Sequence, residues 1–440
     1  MPCLRHSLLA PLMLVMASGA WSQSLQEIYE AARAYDAAYL AARAQAESAQ
    51  YRTEQSYALR RPSVTATGSA TRSETDPPAS TFNPNGSRLG STVGALTLSG
   101  RQPLFNRANG ATIGQADKAL EVAQTDLQTA EHELIVRSAQ TYFDVLVAQD
   151  SLAAAQANKK AVSEQLASAK RNFEVGTATI TDTREAQARF DLATATEIVA
   201  ENDLRTKRIA LDQLVGRTNV APKALAVPVA LPALAPAVVD DWVTPAQTSH
   251  PAVRRAAFGL DIAQLETEKA RAGNLPTVDA VASLGASNLS GSGTVGTTSS
   301  ASIGVQMSLP LFTGYAVQNR IKETLSLEQR SRNDLDAARR GVAQATRVAF
   351  FGYQSGQAQV KALEAAESSS KLALEATQLG YRVGVRVNLD VLNAQRELFT
   401  TQRDLSKARY DVLLAGLRLR QAAGTLQAAD LNAVNTLLSK

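Results

Sequence analysis

A tandem repetition of very long period is the feature that most constrains this chain. The stretch FEVGTATITDTREAQARF at Phe173–Phe190 returns in altered form as YRVGVRVNLDVLNAQREL at Tyr381–Leu398. Gly176, Asp182, Gln187 and Gly216 recur as Gly384, Asp390, Gln395 and Gly424, at an offset of 208 residues. Pro103-Leu104-Phe105 recurs as Pro310-Leu311-Phe312, at an offset of 207. A slippage of one residue over so long a stretch means that a whole structural unit is duplicated, and it excludes a short-period solenoid.

Each half reads as helix, strand pair, very long helix, turn and returning helix. Leu25 to Leu59 is Ala-rich without Pro or Gly, which predicts a single helix. Period-two alternation follows near Ser63–Thr71 and Thr92–Gly100. It is cleaner in the second half, where Val278, Ala280, Ala282 and Leu284, then Ala301, Ile303, Val305, Met307 and Leu309, alternate mostly with small or polar residues. These segments predict strands of about ten residues, apolar on one face, joined by the turn-former loops ETDPPASTFNPNGS and SGSGTVGTTSS.

From Arg107 to Glu174, and again from Tyr315 to Arg382, only scattered glycines interrupt a helical pattern. Each segment would run roughly 100 Å if continuous, a length that implies coiled-coil packing. Ile135, Ala139, Tyr142, Leu146 and Ala153 supply the expected seam. Val175-Gly176 and Val383-Gly384 end the two long helices, Gly taking the left-handed C-terminal conformation. Six prolines between Ala221 and Pro251 predict a non-helical connector lying against the body of the hairpins.

The N-terminus carries Arg5, an apolar run over Leu8–Ala17 and small residues before Trp21, the pattern of an export signal with cleavage after Ala20 or Ser22. Cys3, the only cysteine, lies upstream of that run, so neither a lipid anchor nor disulfides are expected. The expected organisation is a signal peptide over 1–22, a first repeat over 23–220 with β-hairpin 62–102 and helical hairpin 107–215, and an equatorial connector over 221–251. A second repeat follows over 252–440, with β-hairpin 276–310, helical hairpin 315–425 and a short C-terminal segment.

Composition argues against two function classes. A net charge of +4 spread without a Lys/Arg block is a mixed solvated surface and predicts no nucleic-acid partner. His132 and His250 lie on unrelated elements, no nucleophile motif appears, and the glycines of SGSGTVG sit between strands with no following helix. No enzyme activity, cofactor or metal is therefore expected. Alternating strands in an exported chain suggest an outer-membrane barrel. Four strands cannot close one, and open edges cannot survive in lipid, so the barrel must be shared between chains. A structural coiled-coil protein or adhesin is the rival class; it explains the long helices and leaves the strands unexplained.

FEVGTATITD, YRVGVRVNLDVL, SLPLFTG at Ser308–Gly314 and LRQAAGTL at Leu419–Leu426 carry a resemblance to the TolC family of outer-membrane efflux and secretion channels, extending from Leu25 to Asn435. The resemblance implies a mainly α chain with membrane β structure. Three copies would share a twelve-stranded barrel, four strands from each, continued by a long periplasmic helical barrel. It also implies outer-membrane lipid around the strands, an equatorial belt built from connector and C-terminus, and partners at the helical tips. Those partners would be a periplasmic adaptor protein and an inner-membrane ABC exporter or RND-type pump, whether for type I secretion, drug efflux or a single dedicated proton-driven pump.

The resemblance further places a periplasmic gate at Thr181, Asp182, Tyr381 and Arg386, between the tip turns Val175-Gly176 and Val383-Gly384. Arg386 has the planar donor fork to engage Asp182 and the Thr181 region, and Tyr381 can donate its hydroxyl across the hairpins. Asp390 matches a constriction carboxylate that forms a ring on the pore axis and concentrates cations. One turn on, the family pattern has a second Asp; here it is Asn393, so the second charged ring is expected to be missing.

Overall fold

The computed structural model describes residues 23–76, 78, 79, 81, 88–226, 231–291 and 295–438. The expected signal segment and parts of both turn-former loops, at 77, 80, 82–87 and 292–294, lie outside the described residues. The chain divides into two units, one comprising Ala41–Ala130 with Val243–Ala345, the other Glu131–Trp242 with Thr346–Lys440 and the N-terminal stretch up to Leu40.

In the first unit, β1 (Ser63–Thr75), β2 (Leu89–Phe105), β3 (Thr277–Gly291) and β4 (Gly296–Ser308) form one antiparallel sheet in the order β1-β2-β3-β4. The strands hold 13, 17, 15 and 13 residues, longer than the alternation alone suggests. β2 continues through Pro103 to Phe105, tolerating the proline because the register shifts there. At mid-sheet, adjacent side-chain rows cross all four strands without mixing. Ala66, Leu98, Leu284 and Ala301 align in one row, and the adjacent row is Thr65, Ser99, Ser283 and Ser302. One face is there apolar and the other hydroxyl-lined, while toward the loops Val93 and Leu289 fall on the hydroxyl face and Asn288 and Thr297 on the apolar one. On the apolar face Ile303 is 89% exposed and Val305 69%, which no water-facing sheet would favour. Among the described residues, β1 and β4 each have one edge without a partner strand.

The single helix expected from Leu25 to Leu59 is two, α1 (Leu25–Tyr35) and α2 (Ala37–Tyr57), followed by a 3-10 turn at Ala58–Arg60. Asp36 breaks it: its backbone is extended, and its carboxylate accepts the Tyr39 N–H at 2.8 Å and Arg137 at 2.7 Å. A carboxylate that caps the next helix competes with the continuous ladder, and the Arg137 ion pair settles the contest.

Four further helical stretches complete the sheet-bearing unit: the first turns of α3 (Arg107–Glu174), most of α5 (Asp240–Ser249), all of α6 (Pro251–Ala272) and the first part of α7 (Ala316–Arg382). Thr53 donates to the Ala116 carbonyl at 3.0 Å, Gln115 to Glu266 at 2.8 Å, and Arg320 pairs with Glu266 at 2.7 Å. These polar ties suit helices whose facing residues are small.

The other unit is helical. The rest of α3, α4 (Ile180–Val215), the rest of α7, α8 (Asn388–Ala422) and α9 (Asp430–Asn435) join α1. The expected seam holds for Ile135, Ala139, Tyr142 and Leu146, all buried, but Ala153 is exposed. The buried stripe runs instead through Ala148, Ala155, Val162 and Ala169, a strict seven-residue spacing. α4 ends at Gly216 (φ +69°), where a Cβ would stand 2.5 Å from the Tyr35 ring, so both backbone and packing require glycine there.

Contrary to expectation, the proline-rich connector is partly helical. α5 runs through Pro245, and Pro251 occupies the first turn of α6, where a missing N–H costs nothing. Among the described residues the rest is non-helical and tied down. The Ala226 N–H donates to the Leu437 carbonyl at 2.9 Å, and Tyr142 donates to Lys223 O at 2.8 Å. Tyr353 and Gln357 both donate to Pro232 O. Connector and C-terminal segment thus pair within one unit.

Candidate functional site

The two tips use the same backbone and different side chains. At the first, Gly176 (φ +79°) reverses the chain after α3, and the N–H groups of Thr177 and Ala178 donate to the Asn172 carbonyl. At the second, Gly384 (φ +80°) does the same, with Val385 and Arg386 donating to the Gly380 carbonyl. Left-handed glycines thus close both long helices, satisfying carbonyls that would otherwise be orphaned.

The returning helices start differently. Thr179 caps α4 in a reciprocal box: its hydroxyl accepts the Asp182 N–H at 3.2 Å, and the Asp182 carboxylate accepts the Thr179 N–H at 2.9 Å and hydroxyl at 2.7 Å. α8 is capped by Val387, which has no side-chain acceptor. Its Asp390 is free of capping work and lies 3.5 Å from Arg386. Arg386 folds back so tightly that a Cβ at Gly380 would stand 2.8 Å from its Cγ.

The residues singled out in the sequence therefore meet only in part. Within the chain Arg386 pairs with Asp390 and not with Asp182, whose Oδ2 is held in the capping box. Tyr381 does bridge the hairpins, though its hydroxyl accepts, from Asn172 Nδ2 at 3.4 Å. Thr181 is exposed in the first turn of α4. Val175, Val383, Val385 and Val387 are all more than half exposed, leaving both tips with an apolar surface.

Further residues join the hairpins that sequence reasoning passed over. Gln165 on α3 donates to Asn388 Oδ1, and Arg189 on α4 donates to Asn393 Oδ1 at 3.3 Å. Below them Val162, Leu166, Ala169, Ala186 and Leu392 form an apolar cluster with Phe190 against it. Asn388, Val391, Leu392 and Gln395 form one buried stripe at spacings of three and four. Two amides on that stripe were the available signal for Asn388. Farther along, Tyr410 donates to Asp150 at 3.1 Å, and burial pushes the Asp150 carboxyl above its ordinary range although Tyr410 and Ser406 donate to it.

No group of residues suited to hold a metal ion occurs among the described residues. No described helix is long and apolar enough to cross a membrane.

Two blocks, residues 28–217 and 242–425, match the model of the outer membrane efflux protein family. The chain belongs to that family. The match covers both structural repeats and skips most of the connector. Family membership makes the chain an outer-membrane exit channel.

The family's relatives include the outer membrane protein TolC of Vibrio cholerae, 31% identical over 96% of this chain and 95% of that protein. Another is the alkaline protease secretion protein AprF of Pseudomonas aeruginosa, 34% identical over 77% of this chain and 71% of that one. Among solved structures, the Vibrio cholerae outer membrane protein VceC superposes with a TM-score of 0.76 at 20% identity, covering 91% of this chain and 96% of that one. That likeness concerns the fold.

Proposed function

We propose that three copies of this chain form the passive exit duct of a tripartite export system. The duct receives cargo from an inner-membrane transporter and a periplasmic adaptor and releases it outside the cell. The four-stranded sheet carries the proposal: it has a lipid-compatible face, a hydroxyl-lined face and two open edges. Each edge in hydrocarbon would leave a row of unpaired backbone groups, at several kcal/mol apiece, until another copy pairs with it. Closure by three copies gives twelve strands and a polar lumen.

Thr181, Asp182, Tyr381 and Arg386 would form the periplasmic gate and Asp390 the constriction. In support, the helical tips end in paired left-handed turns with charged residues one turn inside. The Arg386 side chain is 62% exposed in the single chain, which leaves it available to a neighbouring copy. The exposed valines at the tips fit docking of an apolar partner surface, the role assigned to the adaptor. Relatives named for protease secretion favour protein cargo, and the family's efflux description favours small molecules. One duct of this type serves both.

The test is reconstitution in planar lipid bilayers. Purified protein should give discrete, small resting conductance steps that grow when the tips are loosened. Protein that stays oligomeric in detergent and produces no steps under any condition would overturn the reading.

A further inference from the structure

Family resemblance places Asn393 beside Asp390 on the pore axis, as an uncharged member of a second ring. Its contact in the chain points elsewhere. Asn393 Oδ1 accepts a hydrogen bond from Arg189 at 3.3 Å, and five residues earlier Asn388 Oδ1 accepts one from Gln165. Both donors come from the first hairpin and both acceptors from the first two turns of α8.

We infer that Gln165–Asn388 and Arg189–Asn393 form a clasp that holds α8 on the first hairpin, so that position 393 serves gating and not ion selectivity. The inference rests on reading the chain as a gated channel. Three observations carry it. First, α8 lacks a side-chain cap at Val387, whereas α4 has a complete capping box, so the start of α8 depends on contacts with other helices.

Second, the acceptors are neutral amides. Such a clasp has no ionisable acceptor and keeps its partners at any pH. Third, the clasp is poised to open. Asn388 is buried, and its Nδ2, like the Oε1 of Gln395 two turns on, has no hydrogen-bond partner. A half-satisfied polar contact holds less firmly than the apolar cluster below it. Arg189 also lines a cavity of about 230 Å³ with Leu392, Arg396 and Phe399, into which its guanidinium can swing once it leaves Asn393.

A carboxylate at 393 should therefore be captured by Arg189 as a charge-assisted bond and stay off the pore axis. Two measurements on the full-length protein test this. Hydrogen exchange in detergent does not depend on conduction. Arg189→Ala should speed exchange over 388–395 by about tenfold while leaving 180–187, protected by its own cap, unchanged. Equal rates in wild type and variant over 388–395 would overturn the clasp whatever the channel does.

Single-channel recording with a trivalent cation, hexaamminecobalt, added from the periplasmic side provides the second. Asn393→Asp alone should change block less than about threefold and lower the resting open probability. The double variant Arg189→Ala/Asn393→Asp, with its carboxylate released, should strengthen block about tenfold or more. Strong block from Asn393→Asp alone would place position 393 in the pore and overturn the inference. Exchange isolates the clasp from the channel reading, which fails separately if wild type never conducts.

Discussion

Arg386 stands 3.5 Å from Asp390, four residues ahead of it across the start of α8, while the equivalent aspartate of the first tip, Asp182, is locked in a capping box with Thr179. Two copies of one ancestral turn have thus diverged. In one the carboxylate stabilises a helix end; in the other it is half-buried with a cation beside it. The difference traces to a single position, Thr179 against Val387, which decides whether the N-cap supplies an oxygen.

The tip variants follow from this arrangement. Tyr381→Phe strands Asn172 Nδ2, and Arg386→Ser uncovers Asp390. The Tyr381 hydrogen bond is worth about 0.5–1.5 kcal/mol and the solvent-screened Arg386–Asp390 pair at most about 1 kcal/mol, each repeated in every copy of the assembly. The double variant should raise resting conductance in planar bilayers, and Arg386→Ser alone should sharpen cation preference because Asp390 loses its counter-charge. Unchanged conductance and reversal potential in a folded, assembled double variant would remove these residues from the gate.

Lipid exposure of the sheet is tested by paired neighbours. Ile303 lies on the apolar face and Ser302 on the hydroxyl face, where its Oγ lies 2.8 Å from that of Ser283. Ile303→Arg should cost about 2–4 kcal/mol near the bilayer midplane and cut the yield of assembled protein in outer membranes. Ser302→Arg should be tolerated. Equal yields would reverse or erase the facing.

Asp150 gives a pH signature. Burial raises its carboxyl above the ordinary value, although Tyr410, Ser406 and Arg409 oppose the shift. The folded chain then holds that proton more tightly than the unfolded chain. Its contribution is most favourable below the unfolded value of about 4 and is lost as pH rises through the raised folded value. Asp150→Asn should therefore be more favourable to thermal stability at pH 8 than at pH 4. A pH-independent effect would mean that the carboxylate is not desolvated.

Much of this fold is legible in the sequence because its periods are long and clean. Strand alternation at Ala301–Leu309, the unbroken helical patterns from Arg107 and Tyr315, and the Val-Gly turns each follow from one local rule. The break at Asp36 was not legible, since it needs Arg137, a hundred residues away, to hold the carboxylate. Nor was the helix through Pro245, which local propensity opposes. At the tips, repeat positions identified Asp182 and Asp390, but only the packed helices show that Arg189 and Gln165 reach Asn393 and Asn388. Contacts between side chains far apart in sequence leave no periodic trace.

Closure of the sheet by further copies underlies every functional statement, and native mass measurement in detergent tests it most directly. The account predicts one dominant particle of three chains, stable to dilution because two open strand edges per chain are paired. A monodisperse monomer or dimer that still conducts in bilayers would contradict it.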